Sequence, residues 1–457
     1  MTLRDPERQS PSWEMSAAGE MAVAGRSARE SQAPWARLKA HSLVAVLTRI
    51  CVAGLGFLAS VLVARWLGPE GKGVLATLMV VPMLVVSFAE LGIRQAAARA
   101  IGKGLATAAE VFSAIVGLWV LMSFLSLSIV LGYAYLTGAS RYGLAVTAAL
   151  AAAPAAMLMV RYGSGIALGQ QWIGKVGFSQ TLVGVVNLLS VVLFILVLGM
   201  GILGAVLGRL VASAAGGGMF LYWFVAGFGW KWRWRPAVMW LLARRGVSFA
   251  LALFVLGLNY RVSILLLQLF VGPGDIGQFS LGVNISETLW VVPSAIGMVI
   301  FSHSTGAGDA KAFTKTTARI ARLGLIAAAA VAAAVAMSCD ALVGMVYGQA
   351  YRASVPVIQL MLPGIVCVVF FKILNSDLAG RGHPLVAAKV FLGAIVVNVA
   401  ATCLLAPRWG IVGAGIAVSI SYALGSLVFA REYAKMSGLQ LTELLVPRME
   451  DFRGMAR

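Results

Sequence analysis

The chain has 457 residues, of which 60% are hydrophobic and only 12% charged, and its mean hydropathy is +0.90. Soluble domains carry roughly 25% charged residues, so composition excludes the water-soluble classes and leaves a polytopic membrane protein. A net charge of +19 would suggest nucleic acid in a soluble chain. Here the basic residues sit in short loops between apolar runs, the form that cytoplasmic membrane loops take.

Residues 1–41 are polar and mixed in charge, with no short apolar core followed by a cleavage site, and read as a disordered cytoplasmic tail rather than a secretory signal. A membrane helix needs about 20 mostly apolar residues. Such runs fall near 43–66, 73–93, 111–136, 143–168, 176–199 and 202–228, and again near 247–271, 277–302, 319–347, 353–375, 385–406 and 410–433. The expected fold is therefore an all-α polytopic membrane protein of about twelve transmembrane helices. Loops after even-numbered spans, counted with the span ends beside them (Arg161, Arg319, Arg322), hold fifteen lysines and arginines, against four after odd-numbered spans. That asymmetry places the even loops and both termini in the cytoplasm.

An internal repeat organises these spans. "ARWLGPEGKGVL" (64–75) aligns with "QLFVGPGDIGQF" (268–279) at an offset of 204, and "LGQQWIGKVGFSQTLVGVVN" (168–187) with "AGRGHPLVAAKVFLGAIVVN" (379–398) at 211. "GILGA" (201–205) then meets "GIVGA" (410–414). A six-span unit has both copies entering the membrane from the same side, as two pseudo-symmetric lobes with a substrate site between them near the midplane. The domains expected are the tail 1–41, a six-helix lobe over 42–228, a cytoplasmic linker over 229–246, a second six-helix lobe over 247–433, and a cytoplasmic tail over 434–457. The linker opens on "GWKWRWRPAVMW" (229–240). Trp230, Trp232 and Trp234 alternate with Lys231, Arg233 and Arg235, so rings can settle among head groups while cations meet anionic lipid phosphates. This segment reads as a membrane-interface anchor, and nucleic acid is not an expected partner.

At these residues the chain is similar to a known family. "LVARWLGPEGKGVLATLMVVPMLVVSFAELGIRQAAARAIGKG" (62–104) resembles the first two spans of Wzx-type polysaccharide flippases of the MOP exporter superfamily. "YRASVPVIQLMLPGI" (351–365) and "LAPRWGIVGAGIAVSISY" (405–422) resemble their tenth and twelfth spans. The resemblance covers roughly 43–433 and implies a MATE-like exporter with two lobes around a central cavity. It implies an undecaprenyl-diphosphate-linked oligosaccharide as cargo, moved across a bacterial plasma (inner) membrane by alternating access for cell-surface polysaccharide. Lipid II flippases and drug/cation antiporters of the same superfamily are the alternatives. Other polysaccharide-assembly membrane proteins are partners it would suggest, with proton or sodium ion for coupling.

Ionisable groups inside a span mark functional sites. Arg261 lies 11 residues before Gly272 and Glu287 lies 10 residues after Gly277, so both reach roughly 15–17 Å below the outer loop at 1.5 Å per residue. They form either a structural pair joining spans 7 and 8, or a site where Arg261 holds a substrate phosphate and Glu287 pairs with it or takes a proton when the site is empty. Asn259, Tyr260 and Asn284 nearby would serve sugar hydroxyls or plain interhelical contacts. Arg49 either snorkels or receives an anionic head group. Arg209 lines the cavity or packs near the outer interface. Lys372 and Lys389 read as snorkelling side chains. The four cysteines read as small buried apolar residues. No metal set, P-loop or catalytic constellation is present: His41, His303 and His383 are far apart in sequence and lack carboxylates at metal spacing. No cofactor and no enzyme activity are expected. A polysaccharide polymerase or ligase would need a long outer loop that this sequence lacks.

Overall fold

The computed structural model describes residues 13–229, 233–304, 310–446 and 451. In chain order the helices are α1 (Trp13–Ala89), α2 (Ile93–Gly102), α3 (Ala108–Leu136), α4 (Leu144–Gly169), α5 (Ile173–Val191), α6 (Gly201–Phe228), α7 (Pro236–Leu267), α8 (Pro273–Glu287), α9 (Val291–Ser304), α10 (Ala310–Val346), α11 (Ser354–Gly380), α12 (Leu385–Ser437) and α13 (Leu441–Leu445). No strand occurs among the described residues. Nine of these segments are long and apolar enough to cross a membrane, and α8 with α9, bent by 47° at their junction, makes a tenth.

The two longest segments each hold two crossings. α1 breaks at Gly68 (φ 66°, ψ 179°), a conformation open to glycine, and Pro69 then occupies the first position of the returning helix. Across that break Lys72 Nζ donates to Ser60 Oγ at 3.2 Å. α12 breaks at Gly410 (φ 54°). Its return leg lies antiparallel to the first, with Ser421 Oγ donating to the Ala394 carbonyl at 2.8 Å. Gly201, which opens α6 at the matching place in the repeat, has φ 55°. With both breaks counted, about twelve helices cross, as hydropathy predicts. Gly68 and Gly410 lie at one end of the bundle, the hairpin end. The connection after α6 lies at the other, the linker end.

Each lobe has its own aromatic core. In the first, Phe112, Phe220 and Phe224 pack with Leu158 and Tyr162, and the Tyr162 hydroxyl donates to the Ala89 carbonyl at 2.6 Å. In the second, the Phe371 ring lies 4.4 Å from Phe391 and 4.8 Å from Phe429. Within the expected linker, residues from Pro236 onward are already α7. Met239 and Leu242 of its first turns pack into the first lobe's core, while its later residues face α12. Thus α7 belongs to both lobes. Arg235 pairs with Glu110 at 3.5 Å, and Trp234 lies against Gly117. Trp230, Lys231 and Trp232 lie outside the described residues.

Helix continues into both terminal regions. α1 is helical from Trp13, because its early stretch is rich in alanine, glutamate and arginine, all good helix formers. At the other terminus Arg322, with 2.7 and 2.6 Å bonds, grips the carboxylate of Asp451, and Leu444 of α13 is fully buried. The cysteines are all free. Cys339 is buried and Cys367 partly so, but Cys51 and Cys403 are exposed, against the expectation that all four are buried.

Candidate substrate cavity between the lobes

A cavity of about 470 Å³ lies between the lobes, lined from the first by Ser60, Lys72, Asn187 and Arg209 and from the second by Arg261, Asn284, Glu287 and Tyr347. A second, of about 290 Å³, shares Ala53, Glu287 and Val291 with it and adds Arg49, Gln180, Trp290 and Lys372. Five basic residues and one carboxylate line the two together. Asn284 and Glu287 share a wall because residues three apart lie on one helix face. Glu287 is the last residue of α8, at the bend into α9, where the change of direction brings it to the junction of both cavities.

Arg261 Nη2 stands 3.8 Å from Glu287 Oε2, both side chains partly buried. Charge-assisted hydrogen bonds run to about 2.7–2.9 Å, so this is a Coulombic contact that leaves the planar guanidinium fork free. Glu287 Oε1 is buried and has no hydrogen-bond partner. Beside it the Trp290 ring packs 4.8 Å from Tyr260 and 5.9 Å from Tyr422. Lys372 Nζ sits over Trp290 at 4.5 Å and over Tyr260 at 5.6 Å, a cation–π arrangement on the cavity wall.

The hairpin end is sealed between the lobes. A Cβ on Gly73 would overlap the Pro273 carbonyl, and one on Gly277 would overlap the Pro69 carbonyl, so the helices touch backbone to backbone. Arg65 donates to the carbonyls of Val346 (2.7 Å) and Met345 (2.5 Å), and the Tyr351 hydroxyl to Ala64 (3.0 Å). The cavities run from beneath this seal toward Arg49 and Lys372, in the half of the bundle nearer the linker end.

A twelve-span, two-lobed bundle with a cavity between its halves is an established transporter architecture, and comparison with known proteins bears on it directly. The family described as polysaccharide biosynthesis protein matches residues 38–301, more than half of the chain. The chain belongs to the polysaccharide biosynthesis protein family. No curated protein sequence matches it. Among solved structures it is similar to an inward-facing multidrug resistance MATE family transporter of the MOP superfamily, with a TM-score of 0.68 at 15% identity over 86% of this chain and 98% of that one. The outward-facing form of a MATE family transporter scores 0.67 at 15% identity, over 87% and 95% of the two chains. A MOP superfamily transporter from Pyrococcus furiosus, described as having a binding pocket of reverse polarity, scores 0.68 at 14% identity over 87% and 95%. These likenesses show the MOP fold. Family and fold together support a membrane flippase or exporter rather than a catalyst.

In this polysaccharide biosynthesis protein, Arg261, Glu287, Arg209 and Asn284 are brought together in the larger cavity and Arg49 lies in the smaller. Asn259 is elsewhere. It is fully buried in the second lobe, where its carbonyl accepts from Asn398 Nδ2 at 3.2 Å and its side-chain oxygen from Ser421 Oγ at 3.2 Å. Three cavity groups carry no clear mark in the sequence. Lys72 counts there as a loop charge, Lys372 as a snorkelling one, and Asn187 as a neutral residue of span 5. A further ionic cluster sits at the linker end of the first lobe, in the break between α1 and α2. The Glu90 carboxylate is almost fully buried, 3.3 Å from Arg161 Nη1 and 4.0 Å from Arg94 Nε. Each lobe's second span therefore breaks near its middle or end, with a carboxylate and flanking cations at the break, Glu90 buried and Glu287 partly so. No group of three or more metal-ligating side chains occurs among the described residues.

Proposed function

We propose that this protein is a flippase that carries an undecaprenyl-diphosphate-linked oligosaccharide across the bacterial inner membrane by alternating access, for cell-surface polysaccharide synthesis. The observation that carries the reading is the charge of the interlobe cavity, five basic side chains to one carboxylate. Low-dielectric walls strengthen such a field, and it favours an anionic head group while repelling cationic drugs. Arg261 and Arg209 would hold the diphosphate, with Asn284 offered to sugar hydroxyls and Arg49 receiving the head group on its way in. The isoprenoid tail would stay in lipid beside the lobes.

The linker end faces the cytoplasm on the count of basic loop residues, so the sealed hairpin end faces outward and the arrangement is inward-facing. Glu287, loosely paired with Arg261, is the group best placed to carry a coupling proton, pairing with the guanidinium or taking up a proton when the site is empty. Interface anchoring by the Trp230–Arg235 segment is part of the same reading, as is contact with other polysaccharide-assembly proteins. MOP-fold pockets of opposite polarity exist, as the Pyrococcus furiosus protein's description states, so pocket charge rather than fold decides the ligand.

The test is reconstitution in liposomes with a fluorescent lipid-linked oligosaccharide. Outer-leaflet accessibility rises above that of empty liposomes on this reading; equal accessibility rejects it. A cationic dye exported by the same liposomes would instead favour the drug antiporter.

A further inference from the structure

Lys72 is the cavity residue whose position has no structural explanation. It is 5% exposed, in the first turns after the Gly68 break, next to Gly73 of the seal. Its ammonium has three donors. One is used by Ser60 Oγ at 3.2 Å, and the Tyr347 ring lies 6.0 Å away. No carboxylate lies within ion-pairing distance of it among the described residues. Lys72, Ser60 and Tyr347 all line the larger cavity at its sealed end.

Magnitudes decide between the two roles this lysine can have. A hydrogen bond from the Lys72 ammonium to the Ser60 hydroxyl stabilises by about 1.5–3 kcal/mol. Removing an ammonium from water costs several kcal/mol even after relaxation. As a hairpin brace Lys72 is therefore a net loss, and a neutral side chain would brace the turn better. The cost is offset when an anion occupies the cavity beside it.

We propose that Lys72 forms a second anion-binding subsite at the sealed end of the cavity, for a second anionic group on the ligand that Arg261 and Arg209 hold. The inference rests on reading the cavity as an anion site. The group is an oxyanion, supplied either by the second phosphate of the diphosphate or by a carboxylate on the glycan. Ser60 and Tyr347 are the neutral walls of this subsite, and the Gly73–Gly277 seal is its roof.

The experiment compares full-length wild-type protein, Lys72→Met and Lys72→Arg in lipid nanodiscs. Three ligands are titrated: a polyprenyl diphosphate without glycan, the same lipid with a neutral oligosaccharide, and the same lipid with a carboxylate-bearing oligosaccharide. Lys72→Met raises the Tm of the ligand-free protein and weakens binding about tenfold or more, while Lys72→Arg keeps binding within about threefold. Weakening with all three ligands assigns the phosphate; weakening confined to the acidic glycan assigns the sugar carboxylate. A lower Tm for Lys72→Met marks the lysine as structural and overturns the inference, as does unchanged binding of all three ligands. Wild-type protein that binds none of them removes the substrate reading and this inference together. Unchanged binding by Lys72→Met beside good wild-type binding removes the inference alone.

Discussion

Gly73 and Gly277 each lie against the proline carbonyl that stands four residues before the other, Pro273 and Pro69 respectively. The same offset of 204 relates both pairs, so the contact is reciprocal between equivalent points of the repeat. It admits no side chain on either glycine. Gly73→Ala or Gly277→Ala should part the helices and shift the population toward a conformation open at the hairpin end. A shift of about 1.4 kcal/mol changes that population tenfold. Labelling of a Met79→Cys reporter, buried in the cavity wall, by an impermeant maleimide added from the hairpin side should accelerate correspondingly. Unchanged labelling would show that the seal lies elsewhere.

Arg261 and Glu287 should separate in their effects. Arg261→Ala removes a fork whose carboxylate partner stands 3.8 Å away, so binding of a lipid diphosphate falls by about 10–100-fold, in line with roughly 1.5–3 kcal/mol for hydrogen bonds to charged groups. Folding changes little, because the pair is loose and partly exposed. Glu287→Gln removes the competitor for Arg261 and tightens binding, while transport loses its response to an imposed pH gradient. Binding curves and flux assays check the two variants side by side. Loss of folding in both would make the pair structural.

Asn259 should matter for stability and not for substrate. Asn398→Leu or Asn259→Leu strands partners in a buried network that also includes Ser263 and Thr402. Leaving such groups unsatisfied costs about 1–3 kcal/mol each, seen as a lower Tm in detergent. Ligand affinity of the folded fraction should match wild type; a selective loss of affinity would bring Asn259 back to the cavity.

Glu90→Gln should lower Tm by leaving Arg94 and Arg161 facing each other without their shared carboxylate. Adding Arg161→Gln should recover part of the loss, since residues in one ionic network are not additive. A double variant as unstable as the sum of the singles would argue that Glu90 acts through something other than these arginines.

The spans were legible because a membrane crossing demands length and apolarity that nothing else in a sequence imitates. The meeting of Arg261 and Glu287 was legible too, since both could be measured from repeat-related glycines. Asn259 shows where such reasoning stops. It lies two residues from Arg261, and neighbours at that spacing on a helix do not share a face, so one side chain meets the cavity and the other the second lobe's core. Lys72 was hidden by its surroundings: "GPEGKG" reads as a loop, yet Pro69 starts the returning helix at once and draws the lysine inside. The break at Glu90 falls where the apolar run of span 2 ends, at residue 93; Arg94, Gln95 and Arg99 beyond it read as a loop, yet they continue as the helix α2.

The repeat is also uneven in a way that matters for its origin. Asn187 and Asn398 are equivalent in sequence, but one faces the cavity and the other is locked in a core network. The seal, by contrast, has kept its symmetry. A contact in which each half offers the same patch to the other is isologous, the contact of a two-fold dimer. The Gly–Pro seal is thus the interface that two separate six-helix chains would make with each other. Because the linker after α6 joins the halves in one chain, that contact is intramolecular here and free of any dependence on concentration.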